Sequence, residues 1–131
     1  MLKNFYKIID QSLLSGDKPG SFLSGGTIRF TIQLDPSHPV YEGHFPGNPI
    51  VPGVCQVQII KELVSLTLNT ELFLERSENI KFLSMIIPVQ TPVLDIRLDI
   101  KAKGQDQWDV NAVISREQHL FIKFKGLFTK V

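Results

Sequence analysis

The sequence predicts an α+β fold in which an antiparallel sheet packs against one helix. One segment, residues 53–69, is long enough for a substantial helix and carries apolar residues at helical spacing. Three other segments, residues 28–34, 94–100 and 108–112, alternate apolar and polar residues, which is typical of half-buried strands. Because a run of strands follows the helix, we expect the sheet to bury it as one layer on another. With 131 residues, the chain is predicted to form a single domain over residues 1–131.

The part of the chain before the helix contains one clear strand and several turns. A short opening segment, for which a helix is one option, leads to residues 15–20 and 24–26, whose Gly, Ser and Pro content predicts loops. In residues 28–34 every second residue is apolar, so the strand there should bury one face. The Pro-containing segment 35–39 ends that strand, and a long loop continues to the helix.

The predicted helix has a broad apolar surface and one polar strip. On a wheel of about 100° per residue, the apolar surface comprises Val57, Ile60, Leu63, Val64 and Leu66, and the polar strip comprises Gln58, Lys61, Glu62 and Ser65. The helix should therefore pack on most of its sides. Gln58 and Glu62 are four residues apart, so their side chains should be neighbours on the strip.

Four strand-like segments follow the helix and predict an antiparallel meander. Their bounds are residues 80–87, 94–100, 108–112 and 120–128. Hairpin turns are predicted at residues 104–106 and 116–118.

The most informative stretch of the chain is a Pro- and Gly-rich loop at residues 44–54, which reads His-Phe-Pro-Gly-Asn-Pro-Ile-Val-Pro-Gly-Val. Its prolines restrict the backbone and its glycines permit tight turns, so the loop should be rigid. It carries His44 shortly before the helix begins near Pro52, where unpaired backbone N–H groups and the helix dipole favour negative charge. Histidine is a suitable general base near neutral pH. A base beside an anion site indicates chemistry next to a carbonyl group.

This loop resembles the signature of the β-hydroxyacyl-acyl carrier protein dehydratases, whose motif is His-Phe-Pro-Gly-x-Pro-x-x-Pro-Gly-Val. Every fixed position of that motif is present in residues 44–54, and a looser similarity extends from about Thr27 to the C-terminus, including residues 78–83. The resemblance implies a hotdog fold, in which an antiparallel sheet wraps around one central helix. It also implies removal of water from a 3-hydroxyacyl chain carried on acyl carrier protein, giving a trans-2-enoyl chain in fatty-acid or related polyene biosynthesis.

The resemblance also implies roles for individual residues. His44 matches the catalytic histidine, and the backbone N–H of Gly53 matches the group that binds the thioester carbonyl oxygen. Phe45 and Val54 are then expected to contact the substrate. Histidine and acid come from different subunits in the family, so a homodimer or higher even oligomer is expected, with acyl carrier protein as the partner that delivers the substrate. Neither a cofactor nor a metal is expected.

One departure from the family concerns the acid. Fourteen positions after His44, where the family has an acidic residue, this chain has Gln58, and Glu62 stands where the family usually has glutamine. Glutamine can orient a water or the departing hydroxyl but cannot supply a proton. Glu62 either takes over as proton donor or is a solvated helix residue near Lys61. A third alternative is a site that binds acyl chains without dehydrating them.

Two further functions are consistent with the same residues. In a hotdog acyl thioesterase, a helix carboxylate such as Glu62 would activate the water that cleaves the thioester. In a catalytically silent subunit, the site would bind acyl chains while the protein pairs with an active dehydratase. Release of a free thiol distinguishes the thioesterase, and binding without either product distinguishes the silent subunit.

Composition and charge exclude several classes of partner. The formal net charge is +1 and the basic residues are scattered, so nucleic acid is not expected. No apolar run approaches the roughly 18 residues of a membrane span, and the N-terminus lacks the apolar core of a secretion signal, so we expect a cytoplasmic protein that does not insert into membranes. Cys55 is the only cysteine, which predicts a small packed hydrophobe without a disulfide or a cysteine-based metal cluster.

We expect His38 and His119 at the surface or in turns, and Tyr41 beside or beneath the site.

Overall fold

The computed structural model describes residues 3–16, 25–42, 47 and 49–131. In these residues one six-stranded antiparallel sheet and one long helix form the fold. The elements are β1 (Tyr6–Gly16), β2 (Gly25–Leu34), a short 3-10 helix (Pro39–Glu42), α1 (Gly53–Leu68), β3 (Leu72–Phe82), β4 (Val93–Ala102), β5 (Gln107–Arg116) and β6 (His119–Lys130). The strand order across the sheet is β1-β2-β4-β5-β6-β3, and every pair is antiparallel. The predicted α+β architecture is confirmed.

The core lies between one face of the sheet and α1. The strand residues that face it include Ile28, Phe30, Ile32 and Leu34 of β2, Leu94, Ile96, Leu98 and Ile100 of β4, Val110, Ala112 and Ile114 of β5, and Ile122, Phe124 and Phe128 of β6. They share one cluster with Ile59, Ile60, Leu63 and Val64 of the helix. Full burial of one Ile or Leu side chain stabilises a fold by roughly 1.5–3 kcal/mol. The alternating pattern of the strands is therefore what fixes the helix to the sheet.

Helix α1 begins where the sequence predicts and ends one residue earlier, at Leu68. Asn69 adopts a left-handed conformation (φ 52°) and its N–H donates to the carbonyl of Leu66, which is a common way to end a helix. Leu66 itself is 54% exposed, so its assignment to the apolar surface is wrong. It lies one turn after Glu62, about 40° away on the wheel, and hence beside the polar strip.

The opening segment is strand β1, and the helical option is wrong. β1 pairs with β2 along its length, but the register shifts at Ile9 and at Leu14, each of which is an extra residue in the ladder. Each bulge places two apolar residues side by side in the sequence, and this removes the strict alternation that marks a strand. The strands also continue into the predicted loops, because Gly16 pairs with Gly26.

The strand predicted at residues 80–87 begins eight residues earlier and ends five residues earlier, because β3 spans Leu72–Phe82. β3 is an edge strand with irregular register at Glu75 and Glu78, and its polar sequence hides the β pattern. Residues 83–87 leave the sheet, although the N–H of Leu83 still donates to the carbonyl of Phe121. The other predicted strands and both hairpin turns are confirmed, each strand being longer than expected.

Within the part of the chain that the structure describes, no helix combines the length and apolar character needed to cross a membrane.

Gly25 should be the glycine whose replacement destabilises the sheet most clearly. Its φ is +125°, and an added Cβ would overlap the carbonyl oxygen of Ile100 and lie 2.9 Å from the Cα of Lys101. We expect Gly25→Ala to lower the free energy of unfolding by at least about 2 kcal/mol in urea titrations. Gly104→Ala is the matched control, since its φ is also positive (+80°) but nothing lies within 4 Å of the added atom. Equal losses in the two variants would contradict this account.

Candidate active site

The loop that carries the motif is anchored at its C-terminal end. His44 and Phe45 lie outside the described residues, so the structure does not place them. Val51 is buried, and its N–H donates to the carbonyl of Ile86 at 2.9 Å. Its own carbonyl accepts from Nε2 of Gln56, a buried helix residue, at 3.3 Å. The loop is thereby held between the first turn of α1 and the segment after β3.

The N-terminus of α1 follows this anchor without a side-chain cap. Pro52 is the N-cap in an extended conformation, and its carbonyl accepts from the N–H groups of Cys55 and Gln56 at 3.0 and 3.1 Å. The N–H groups of Gly53 and Val54 precede these first intrahelical donors. No acidic residue lies in the first turn. The positive end of the helix dipole, at the N–H groups of Gly53 and Val54, therefore remains available to a negatively charged atom.

Gly53 permits a close contact at the start of the helix. An added Cβ would lie 2.8 Å from Cζ of Phe82, so the phenyl ring at the end of β3 lies directly over this glycine. The side chain of Val54, the next residue, is 77% exposed. Val54 therefore lies at the helix N-terminus outside the core. With Phe82 and Leu83 it belongs to an exposed apolar surface.

Gln58 and Glu62 are in direct contact, as their spacing predicts. Nε2 of Gln58 donates to Oε2 of Glu62 at 2.9 Å. A third residue, Tyr6 of β1, donates its hydroxyl to Oε1 of the same carboxylate, also at 2.9 Å. Burial raises the pKa of Tyr6, and the hydrogen bond and negative charge of Glu62 raise it further. Tyr6 is thus held as a neutral hydroxyl that donates to Glu62.

These three residues line an open groove of about 670 Å³ between β1 and α1. Ile8, Leu63 and Leu66 give the groove an apolar wall, next to the polar side chains. The groove therefore combines an apolar wall with the polar contact of Tyr6, Gln58 and Glu62.

Tyr6 is the site residue that sequence reasoning missed. It precedes Glu62 by 56 residues, and its hydroxyl meets the carboxylate only because β1 occupies the edge of the sheet beside the helix. No local pattern carries this information, since the bulges of β1 conceal even the type of secondary structure.

The remaining residues singled out in the sequence are structural. His38 lies in a turn, where its Nδ1 accepts from the N–H of Val40 at 3.1 Å and its Nε2 donates to the carbonyl of Lys3 at 2.9 Å. His119 is exposed beside the ring of Phe121.

Tyr41 and Cys55 are both buried, as packing residues near the anchored loop. Tyr41 packs against Phe5, and burial raises the pKa of its hydroxyl. Cys55 is 6% exposed, and burial raises the pKa of its thiol, which confirms the packed hydrophobe predicted for it.

Among the residues that the structure describes, no group of three or more His, Cys, Asp or Glu side chains is arranged to hold a metal ion.

Comparisons with solved structures place the architecture in the hotdog class. An uncharacterized protein from Erwinia carotovora superimposes with a TM-score of 0.71 at 21% identity, covering 96% of this chain and 97% of that one. The dehydratase heterocomplex ApeI:P from Xenorhabdus doucetiae gives a TM-score of 0.65 at 17% identity, covering 95% and 97%. The predicted hotdog fold is confirmed.

Sequence comparison identifies the family. The model of the ApeI-like family, described as ApeI dehydratase, matches residues 21–121, so this chain belongs to the ApeI-like dehydratase family. The chain is also 28% identical over 97 residues to the 3-hydroxyacyl-acyl-carrier-protein dehydratase FabZ of Rickettsia massiliae. The match covers 68% of this chain and 66% of that relative, just under two thirds of its length.

Proposed function

We propose that this protein removes water from a 3-hydroxyacyl thioester carried on acyl carrier protein, giving the trans-2-enoyl thioester, in fatty-acid or related polyene biosynthesis. The observation that carries the proposal is the motif of residues 44–54, which lies inside the family match and leads directly into the uncapped start of α1 at Gly53. A base followed by a helix N-terminus supplies the two groups that removal of an α-proton requires.

In the proposed reaction His44 takes the proton from the carbon next to the thioester carbonyl. Negative charge then develops on the carbonyl oxygen, and the N–H of Gly53 donates a hydrogen bond to it, supported by the helix dipole. The bond between the β-carbon and its hydroxyl breaks as the double bond forms, and the hydroxyl needs a proton to leave as water. Phe45 and Val54 would contact the acyl thioester beside these groups.

Two routes can deliver that proton. In the first, Glu62 donates it, and Gln58 orients the hydroxyl. In the second, His44 returns the proton that it has just taken. The hydrogen bonds at Glu62 support the second route, because the Tyr6 hydroxyl and the Gln58 amide both donate to its carboxylate, so Glu62 serves these two side chains as an acceptor.

A second copy of the chain is proposed to complete the site. Apolar side chains are exposed next to the helix N-terminus, namely those of Val54, Phe82, Leu83 and Met85. In addition, β1 and β3 are sheet edges whose outer backbone groups are available for pairing. The heterocomplex of the structural relative suggests a different second chain as the alternative occupant.

Sedimentation velocity at micromolar concentration should show a particle of twice the chain mass of 14.8 kDa, or a higher even multiple. Met85→Glu should shift the protein toward monomer, because a charge would be buried without a partner in the interface. Val131→Glu is the control, since Val131 is equally exposed but extends from the end of β6, near the C-terminal end of the helix. A wild-type protein that sediments only as monomer would contradict the proposal.

The function itself is tested by incubating the purified protein with 3-hydroxyacyl-acyl carrier protein and weighing the product. The expected result is the loss of one water molecule. Release of a free thiol would instead indicate an acyl thioesterase, with Glu62 as the group that activates water. Binding of the substrate without either product would indicate a silent subunit that pairs with an active dehydratase.

A further inference from the structure

The N-terminal strand makes a polar contact with the helix that carries the proposed site. The hydroxyl of Tyr6 donates to one oxygen of Glu62, and the amide of Gln58 donates to the other, both at 2.9 Å. Glu62 is therefore held from two sides, once from its own helix and once from the edge strand of the sheet. Since Tyr6 is half-buried and its pKa is raised, it keeps its proton and remains a donor.

This arrangement sets the orientation of the Gln58 amide. An ionised carboxylate only accepts hydrogen bonds, so the amide nitrogen of Gln58 faces Glu62. The amide oxygen then points away from Glu62 and can accept a hydrogen bond of its own. Gln58 stands at the family's acid position, and there it presents an acceptor in place of a proton donor.

We propose that Tyr6 is a positioning residue, which fixes Glu62 so that Glu62 holds the Gln58 amide oxygen toward the 3-hydroxyl group of the substrate. This inference rests on the proposed function. The hydroxyl donates its hydrogen to Gln58 and keeps a lone pair available to accept a proton. His44 takes the α-proton, and the same proton is transferred to the hydroxyl as the carbon–oxygen bond breaks, so that water and the enoyl thioester leave with all atoms and charges balanced.

The fold does not depend on the Tyr6 hydroxyl. β1 is held by its ladder with β2, and the preceding Phe5 is fully buried against Tyr41. The ring of Tyr6 packs at the rim of the core, where phenylalanine would make the same contacts. Tyr6→Phe should therefore remove the hydrogen bond and keep the strand in place.

Steady-state rates of Tyr6→Phe, Glu62→Ala and the double variant test the positioning role. We expect Tyr6→Phe to lower kcat roughly tenfold with KM within about twofold of wild type, since a small displacement of a positioning group affects the reacting geometry more than binding. In the Glu62→Ala background the same change should have no further effect, because Tyr6 acts only through Glu62. Thr31→Val is the matched control, since it also removes a 2.9 Å hydrogen bond to a carboxylate, that of Asp95, between strands β2 and β4.

A second measurement does not depend on turnover. The side-chain amide signals of Gln58 in a 15N-correlated NMR spectrum should shift in Tyr6→Phe and stay in place in Thr31→Val. If Tyr6→Phe does not fold, Tyr6→Met, which also lacks the donor, is measured in the same two ways.

The outcomes separate this inference from the proposed function. A wild-type protein that forms no enoyl product refutes the proposed dehydration, whatever Tyr6 does. An active wild type with unchanged kcat in Tyr6→Phe, or additive losses in the double variant, overturns the positioning role and leaves dehydration intact. Unchanged Gln58 amide signals overturn it as well.

Discussion

Replacing His44 by alanine should lower the rate of dehydration by roughly 10²–10⁴-fold, the usual effect of losing a general base. Without the imidazole, the proposed mechanism has no group that takes the α-proton, because Gln58 is not a base and Glu62 is assigned to hold Gln58 in place. The free energy of unfolding should change little, since the sequence places His44 in a loop before the helix. Product formation is measured by mass from 3-hydroxyacyl-acyl carrier protein.

His119→Ala is the control for this experiment, because His119 is an exposed histidine beside Phe121 and has no proposed role. It should retain the wild-type rate. Near wild-type turnover of His44→Ala would show that the proposed base is wrong, even if the protein is a dehydratase.

Exchanging the residues at positions 58 and 62 should produce the second large effect. We expect Gln58→Glu to raise turnover, because it restores an acid where the family has one, and Glu62→Gln to lower it, because glutamine keeps the size of the side chain and removes its charge. In the single variant Gln58→Glu, the new carboxylate lies next to that of Glu62, where the Gln58 amide now makes a 2.9 Å hydrogen bond. Repulsion between the two carboxylates should limit the gain in turnover.

The double variant Gln58→Glu/Glu62→Gln removes that repulsion. It reverses the hydrogen bond, so that the amide at position 62 donates to the carboxylate at position 58, and it should be the fastest of the three variants. Rates on the same substrate, together with thermal unfolding of each variant, provide the comparison. If all three variants turn over at the wild-type rate, neither side chain handles the proton or orients the hydroxyl.

Hydrophobic periodicity by itself predicted the helix α1 and the strands β2, β4 and β5. The alternation in β2, β4 and β5 marks the residues that are buried in the structure, because a strand that buries one face must place every second side chain in the core. The prolines before α1 mark its start at Gly53, since a proline restricts the local backbone whatever surrounds it. The motif of residues 44–54 likewise determined the family, because it is local in sequence.

The tertiary structure decided what depends on distant parts of the chain. β1 is a strand because its backbone pairs with β2. Its two bulges interrupt the apolar–polar alternation by which a strand is predicted from sequence. Leu66 is exposed because the sheet covers only one side of α1. The contact of Tyr6 with Glu62 spans 56 residues, and it exists because the sheet brings its edge strand beside the helix. Local patterns report backbone preference and burial of one face, whereas contacts between distant residues follow from how the layers pack.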